Sequence, residues 1–382
     1  MKRGHRYLAP LAAASVILAS AAGVIAQSPA ANSPAPATVS LQLQWVPQAQ
    51  FAGYLAAAAK GFYEAAGLTV NMVPGGPTVD NQGEGSRANG PEFTIAWVPK
   101  VLVLRDQDPP QSDLVNIAQV FQRSGTRQVS WAPGKGPEPV SDQIIDSPED
   151  FSGKKIGGWP YGNELEVVAA GRKVGLQPNV DYTQVEQPFD MSLLLNRQID
   201  AAEAMIYNEY AQILEAPNPA TGELYQPEDL TVIDYNEVGA AMLQDALWAR
   251  ASWLAEPGNE DIAVRFLKAS FLGWLYCKEN PEECVQITLD AGTTLGAGHQ
   301  AWMLNEINTL VWPAAGGIGA MPIETWDQTV QIALDSGILA KAPDTTAYRT
   351  DLAEAARALI TEADVTGADY AKGTVTVTPK GE

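Results

Sequence analysis

The strongest constraint on this chain is a regular alternation of strand-like and helix-like segments between Val39 and Tyr210. Short runs such as "LTVNMVP" and "RQVSWA" alternate with longer amphipathic runs that end in glycine. This order is typical of βα units, in which parallel strands are buried between helices. The sequence therefore predicts an α/β fold with parallel-rich sheets and flanking helices.

The pattern changes from Glu237 onward. Amphipathic segments separated by glycine and proline follow, beginning with a helix that we expect over residues 240–258. Two turn-rich stretches, residues 132–143 and 231–239, divide the chain. They predict one lobe from residues 39–131 and 239–382 and a second lobe from residues 132–238. Two lobes joined by two crossings form a cleft that closes around a ligand by a hinge.

The N-terminus differs from the rest of the chain. Residues 1–26 combine a basic start, an apolar stretch and small residues before Gln27, which is the pattern of a secretory signal peptide. An uncleaved membrane anchor is the alternative, because the apolar stretch is long enough to span a bilayer. Residues 27–38, rich in Ser, Pro and Ala, predict a flexible linker. We therefore expect a periplasmic or other extracytoplasmic location.

The net charge and the two cysteines limit the classes of partner and of site that we expect. The formal net charge of −21 argues against nucleic acid as a partner and against direct binding to anionic lipid. Cys277 and Cys284 flank Asn280 and Pro281, a helix-cap and first-turn pair that predicts a corner between two helices. Export permits a disulfide there, and two reduced thiols are the alternative. His299 stands alone, so we expect a surface or capping role and no metal site.

Three segments carry candidate binding residues. The stretch "QWVPQAQF" places Trp45, Gln48, Gln50 and Phe51 where a strand passes into a helix. Such joints are where open α/β sheets bind ligands. Neutral amides beside aromatic rings suit an uncharged ring better than a metal ion or phosphate. Trp97, at the end of "FTIAWVP", is placed in the same way, and simple core packing is its alternative.

The second and third segments also follow predicted strands. In "GGWPYGNELEVV", Trp159 and Tyr161 precede a helix that begins near Asn163 and exposes free backbone N–H groups. An ordinary turn is the alternative. In "AMIYNEY", Tyr207 can stack on a ring while Glu209 accepts its N–H groups. The alternative there makes Asn208 a helix cap and Glu209 an exposed acid. Nucleophile, phosphate-binding and metal-binding motifs are missing, so we expect no enzyme activity and no cofactor.

The order of these segments resembles a known family. The stretches "LQWVPQAQFAGYLAAAAKGFYEAAGLTV", "RQIDAAEAMIYNEY" and "GWLYCKENPEECV" are similar to periplasmic solute-binding proteins of ABC importers. The similarity lies in the branch shared with thiamine-pyrimidine synthase and the sulfonate binders. It implies the two-lobe periplasmic binding protein fold of type II with a helical C-terminal region. It also implies a ligand between the lobes and ABC permease subunits as partners, and we expect a monomer.

The resemblance also assigns roles to residues. Trp45 would form a wall for a heteroaromatic ring, Tyr207 would stack on it and Glu209 would bind its N–H groups. Backbone amides of the loop formed by Tyr161, Gly162 and Asn163 would contact the ligand. Asp245 would reach the cleft from the hinge side.

Two departures separate the chain from the pyrimidine-synthase enzymes. Those enzymes carry Asn-x-Asn-His where this chain has Gln48 to Phe51, and their Cys-rich motif is missing here. We therefore expect a binding protein for a thiamine pyrimidine precursor or a riboflavin-like molecule. The alternatives are a pyridoxal-phosphate-dependent enzyme of that pathway, a sulfonate or nitrate binder, and a sensory module with the same fold.

Overall fold

A computed structural model describes Met1, residues 35–160 and residues 162–382. The predicted signal peptide and residues 27–34 of the predicted linker therefore lie outside the described residues, except for Met1. Residues 37 and 38 do not belong to a linker, because the first strand begins at Ala37, which pairs with Leu68. Within the described ranges, no helix combines the length and the apolar character needed to cross a bilayer.

Ten strands occur in the described residues. They are β1 (Ala37–Gln42), β2 (Leu68–Val73), β3 (Phe93–Ala96), β4 (Leu114–Gln119), β5 (Thr126–Trp131), β6 (Lys155–Gly158), β7 (Thr183–Glu186), β8 (Ala201–Met205), β9 (Leu230–Asp234) and β10 (Ala246–Arg250). They form two five-stranded sheets, in the orders β2-β1-β3-β10-β4 and β7-β6-β8-β5-β9. Each sheet belongs to one lobe.

Both sheets are mixed, and the antiparallel strand is fourth in each order. In the first sheet β10 runs against β3 and β4, and in the second sheet β5 runs against β8 and β9. The prediction of a helix over residues 240–258 is therefore wrong for residues 246–250, which form β10. All residues of β10 are buried, because the strand lies inside the sheet. Such a strand shows no alternation of apolar and polar residues.

The first lobe boundary also differs from the expectation. The structure places β5 in the second sheet, so the second lobe begins before residue 126 and not at residue 132. The chain returns to the first lobe between β9 and β10, in the segment 235–245. The turn-rich loop at residues 132–143 lies inside the second lobe, after β5. The composition of residues 132–143 therefore indicates a turn and does not locate the crossing between the lobes.

Thirteen helices complete the described part. They are α1 (Ala52–Ala59), α2 (Phe62–Ala65), α3 (Asn81–Ser86), α4 (Val98–Asp106), α5 (Leu165–Lys173), α6 (Ser192–Leu195), α7 (Glu209–Leu214), α8 (Ala251–Leu254), α9 (Asn259–Glu279), α10 (Pro281–Asp290), α11 (Ala297–Val311), α12 (Ile323–Asp335) and α13 (Asp351–Ala358). The helix expected after β1 is divided in two at Gly61, whose φ of 73° is left-handed.

The two crossings are bonded to each other. The Gln244 side-chain oxygen accepts a hydrogen bond from the Gly125 backbone N–H at 2.8 Å, and its amide nitrogen donates to the Thr126 hydroxyl at 2.6 Å. The Phe121 N–H donates to the Asp245 carbonyl at 3.1 Å. These bonds hold the hinge segments side by side and fix the position of Asp245 beside both lobes.

The C-terminal helices cover the first sheet and reach the second. Cys277 of α9 and Cys284 of α10 form the expected disulfide, with Cα atoms 5.5 Å apart. Pro281 occupies the first turn of α10. The Asn280 side chain does not cap that helix, because its amide donates to the Tyr276 carbonyl at the end of α9. The predicted corner between α9 and α10 forms, but the Asn280 side chain bonds to the end of α9 and not to the start of α10.

Candidate ligand-binding site between the two sheets

A cavity lies between the lobes, at the carboxyl ends of strands from both sheets. The residues that line it are Gln44, Trp45, Gln48, Gln50, Trp97, Trp159, Asn163, Phe189, Met205, Tyr207, Asn208 and Glu209. Met205 is the last residue of β8, and the other lining residues follow β1, β3, β6, β7 or β8 in the sequence. Because parallel strands end at the same edge, segments far apart in sequence meet there.

Aromatic side chains from both lobes form the walls. The ring centroids of Trp45 and Phe189, from opposite lobes, are 4.6 Å apart. Phe189 also lies nearly parallel to Trp159, with an interplanar angle of 16° and centroids 6.1 Å apart. Trp97 and Tyr207 are almost completely buried. Trp45 and Phe189 therefore meet across the cleft, and the aromatic surface that lines the cavity favours a flat ring as ligand.

Asp245 organises the first-lobe side without lining the cavity. One of its carboxylate oxygens accepts from the Gln50 amide and the other from the Trp97 indole N–H, both at 2.8 Å. Gln50 in turn accepts from the Gln48 amide at 2.8 Å. Burial raises the pKa of Asp245 to about 6, although these two donors favour its ionised form. Asp245 therefore positions the side chains that face the cavity.

Glu209 is the acidic group that faces the cavity from the second lobe. One carboxylate oxygen accepts from the Met205 N–H at 3.1 Å and the other from the Asn208 side-chain amide at 2.8 Å. Burial raises the pKa of Glu209 to about 7. Each carboxylate oxygen has two acceptor positions, so the side chain retains capacity for donors from a ligand. The alternative of an exposed first-turn acid is wrong, because Glu209 is 3% exposed. Asn208 does stand at the N-cap position of α7, but its side chain makes no capping bond there.

His299 continues this hydrogen-bond chain behind Glu209. Its Nε2 lies 2.9 Å from the Asn208 side-chain oxygen, and its Nδ1 lies 2.8 and 3.0 Å from the two Glu215 carboxylate oxygens. Asn208 turns its amide toward Glu209, so both ring nitrogens of His299 face acceptors. His299 is 1% exposed, which overturns the expected surface or capping role. Helix α11 thus holds Glu209 in place through His299 and Asn208.

Helix α11 also supports the first-lobe side. The Gln300 side-chain oxygen accepts from the Ala49 N–H at 2.7 Å. Ala49 begins the short turn between Gln48 and Gln50, so this bond fixes the loop that carries both amides. The neighbouring residues 299 and 300 therefore hold one site loop of each lobe.

The structure brings to the cavity eight of the twelve residues that the sequence singles out: Trp45, Gln48, Gln50, Trp97, Trp159, Asn163, Tyr207 and Glu209. It does not bring Phe51 to the cavity, because that ring is fully buried in the first-lobe core. Gly162 lies outside the lining, and its N–H donates to the Glu164 side chain at 2.9 Å. The expected ligand contact through that amide is therefore already replaced by an internal one. Tyr161 lies outside the described residues.

Sequence reasoning missed Gln44, Phe189 and Met205 as lining residues. Gln44 precedes the tryptophan that was predicted, Met205 ends β8, and Phe189 lies in "QPFD" after β7. A search for aromatic and amide residues just after each predicted strand finds Gln44 and Phe189. Met205 has no such signal, because it looks like any buried strand residue.

Next to the cavity lies a second space, which we call the vestibule. The vestibule and the cavity share Gln44, Trp45, Asn163 and Phe189. The rest of the vestibule is lined by residues 76–82 and by Lys100 of α4. Burial lowers the pKa of Lys100 to about 8, against the attraction of Glu164 and other acids.

The cavity itself has no basic lining residue in the part of the chain that the structure describes. The described residues also contain no group of three or more His, Cys, Asp or Glu side chains arranged to hold a metal ion. The chemistry that the lining presents is thus aromatic surface, neutral amides and one carboxylate.

Comparison with known proteins places this arrangement in context. A family model described as NMT1/THI5 like matches residues 48–284, which is more than half of the chain. A formylaminopyrimidine-binding protein of Halalkalibacterium halodurans is 23% identical over 300 residues, covering 77% of this chain and 83% of that protein.

Two solved structures share the fold. One is a putative sulfonate ABC transporter periplasmic sulfonate-binding protein, SsuA, from Methylobacillus flagellatus, with a TM-score of 0.59, 18% identity, and coverage of 86% of this chain and 96% of that chain. The other is the periplasmic aliphatic sulphonate binding protein SsuA from Escherichia coli, with a TM-score of 0.57, 14% identity, and coverage of 81% and 91%. At these identities the likeness shows the fold, which is that of periplasmic binding proteins.

Proposed function

This chain belongs to the NMT1/THI5-like family, and from that premise we propose that it is an extracytoplasmic solute-binding protein. It captures a small heteroaromatic nutrient in the cavity and delivers it to the permease subunits of an ABC importer. The observation that carries the proposal is the cavity itself, where aromatic side chains surround the Glu209 carboxylate. A flat ring with N–H groups matches both features.

The acceptors on the cavity lining support the same class of ligand. Glu209 retains acceptor capacity, and the Gln44 side-chain oxygen is buried without a partner among the described residues. A buried acceptor costs free energy until a donor reaches it. An aminopyrimidine or the pyrimidine portion of a flavin supplies such donors from a planar ring. The formylaminopyrimidine-binding relative makes an aminopyrimidine the first candidate, and a riboflavin-like molecule is the second.

Sulfonate binding receives less support from the site. A sulfonate carries a full negative charge, whereas the described cavity lining offers a carboxylate and no Arg or Lys. An anion beside Glu209 would be repelled in a space of low dielectric constant. The likeness to sulfonate binders therefore supports the fold and not the ligand.

A titration of Glu209→Gln tests the proposal. The purified protein and the variant are titrated with 4-amino-5-hydroxymethyl-2-methylpyrimidine and with riboflavin by isothermal calorimetry. We expect one of these rings to bind the unmodified protein, and its affinity for the variant to be about 10- to 100-fold lower, because hydrogen bonds to a charged acceptor are the stronger ones. Glu223→Gln, which removes the same charge from an exposed loop, is the control and should leave affinity unchanged.

Either of two results would contradict the proposal. If neither ring binds the unmodified protein, a heteroaromatic ligand of these two kinds is wrong. If a ring binds and Glu209→Gln leaves its affinity unchanged, Glu209 does not contact the ligand and must be removed from the site.

A further inference from the structure

The vestibule has polar groups of its own, among them Lys100 and Gln82, which do not line the cavity. It is continuous with the cavity through four shared residues, and Gln44 is one of them. A ring in the cavity therefore has room to extend a substituent outward past Gln44. The question is which chemistry that substituent needs.

Lys100 is the donor of the vestibule. Its ammonium lies 5.3 Å from the centroid of the Trp97 ring, and its stem lies beside Gly162 of the other lobe, where an added methyl group would be 3.6 Å from Cγ. The ammonium makes no hydrogen bond or ion pair with any residue in the described ranges. With a pKa of about 8 it remains mostly charged at neutral pH. A group that accepts hydrogen bonds is therefore favoured next to it.

Two glutamines supply acceptors. The side-chain oxygens of Gln44 and Gln82 are both buried and have no partner among the described residues, and both side chains line the vestibule. Gln44 is 8% exposed. Since buried polar atoms in native structures are nearly always paired, these two oxygens indicate a partner that donates hydrogen bonds.

The local charges indicate that this partner is neutral. Asp80 lines the vestibule, and Glu164 is close enough to raise the pKa of Lys100. A phosphate or carboxylate arm would be attracted by one ammonium and repelled by these two acids. Hydroxyl and amide groups both accept from Lys100 and donate to the glutamines without a net charge.

We infer that the vestibule is a second subsite, which binds a neutral, hydroxyl- or amide-bearing arm attached to the ring in the cavity. Lys100 donates to this arm and Gln82 accepts from it, while the oxygen of Gln44, which lines both spaces, has one acceptor position for the ring and one for the arm. The inference rests on the proposed function, because the arm is defined relative to a bound ring. It adds that the transported molecule has two parts and that an anionic arm is disfavoured.

Matched pairs of molecules with one ring and different arms test the inference. Lumiflavin, riboflavin and flavin mononucleotide share one ring and carry a methyl, a polyhydroxyl and a phosphorylated arm. 4-Amino-2,5-dimethylpyrimidine and its 5-formylaminomethyl counterpart form the second series. In the series whose ring binds, we expect the neutral arm to raise affinity at least 10-fold over the methyl group. If that series is the flavins, we expect the phosphorylated arm to bind more weakly than the neutral one.

Variants show whether the gain arises in the vestibule. In Lys100→Met, the gain from the neutral arm should fall below about 3-fold while the affinity of the methyl-bearing ring changes less than 2-fold. Gln82→Leu, which removes one acceptor without touching the cavity lining, should lower the gain in the same direction. Lys155→Met, at an exposed lysine of β6, is the matched control and should keep the full gain.

The outcomes separate this inference from the proposed function. If the ring binds and the neutral arm adds nothing, the subsite is wrong and the proposed function stands. Tighter binding of the phosphorylated arm than of the neutral arm overturns the neutral chemistry. A gain that survives both Lys100→Met and Gln82→Leu also overturns the subsite. If no ring in either series binds, the proposed function fails, and this inference fails with it.

Discussion

Asp245 and Glu209 are both buried carboxylates beside the same cavity, but they serve it differently. Asp245 comes just before the antiparallel strand of the first sheet, and Glu209 follows β8 of the second sheet. Only Glu209 lines the cavity. Both Asp245 oxygens accept from side chains that line the cavity, whereas Glu209 accepts from its own strand end and from Asn208. The first acid positions the site, and the second is available to the ligand.

This difference shows that burial and a raised pKa do not by themselves identify a ligand-binding acid. Burial raises the pKa of both groups, to about 6 for Asp245 and about 7 for Glu209. The distinction comes from where their hydrogen-bond donors lie. When the donors are cavity-lining side chains, the acid is a support, and its loss disturbs several contacts at once.

The largest effect is expected for Asp245→Asn. An asparagine has one oxygen for the Trp97 indole and turns its N–H₂ group toward Gln50, so the amides of Gln50 and Gln48 must both turn over. We expect the free energy of unfolding to fall by about 1–3 kcal/mol, because two hydrogen bonds to a charged acceptor become neutral ones and two amides of the cavity lining lose their orientation. Urea unfolding measures this change.

Glu209→Gln is the matched comparison for that experiment. The Asn208 amide can turn over to face the new N–H₂ group, and His299 can then accept through Nε2, so the conflict is repaired. We expect a loss of less than about 1 kcal/mol, smaller than that of Asp245→Asn. Equal losses for the two variants would contradict the distinction between a supporting and a ligand-facing acid.

A smaller effect is expected for His299→Gln. The shorter, single-ended amide cannot reach both Glu215 and Asn208, so the Asn208 side chain loses the partner that orients it toward Glu209. We expect ligand affinity to fall about 3- to 10-fold, which corresponds to roughly one hydrogen bond. Calorimetric titration with the ring that binds measures this change. Asn305→Ala, on the same helix but bonded to Gly373, should leave the affinity unchanged. If the two variants bind equally well, α11 does not position Glu209.

A further difference is expected in the pH dependence of stability. Glu209 has an ordinary pKa of 4.5 and a folded pKa of about 7, so between these values the folded chain holds a proton that the unfolded chain releases. Its contribution to stability is complete below pH 4.5 and is lost as pH rises through 7. For Asp245 the corresponding window runs from 3.8 to about 6.

Unfolding measured across pH 4–8 separates the two acids. The free energy of unfolding of the unmodified protein should fall between pH 4.5 and 7, and in Glu209→Gln this fall should be smaller by at most about 1.4 kcal/mol per pH unit. In Asp245→Asn the fall should be smaller at lower pH. Identical profiles for the two variants would show that the acids do not differ in their surroundings.

Much of this site was predictable from sequence because its residues follow strands. Trp45, Trp97 and Tyr207 each come shortly after a recognisable strand, and the carboxyl ends of such strands meet by the topology of the fold. Phe51 follows the same strand as Trp45, but the short turn before α1 directs its ring into the core. Sequence position therefore locates the loop and does not give the direction of each side chain.

The parts that were not predictable depend on contacts between distant segments. The resemblance placed Asp245 on the hinge side, but its role as an acceptor for Gln50 and Trp97 depends on β10, a central strand without alternating burial whose sequence predicted a helix. His299 meets Asn208 across 91 positions because α11 packs on α7, and no local pattern announces that contact. The support that α11 gives to the site therefore depends on tertiary packing, which the local sequence does not show.

A structure of the protein with its bound ring tests the central claim most directly. The account predicts the ring inside the aromatic cavity, with an N–H group about 2.7–3.1 Å from a Glu209 carboxylate oxygen. Asp245 should keep its bonds to Gln50 and Trp97 and make no contact with the ligand. A ring that bonds to Asp245 and leaves Glu209 without a ligand contact would contradict the account.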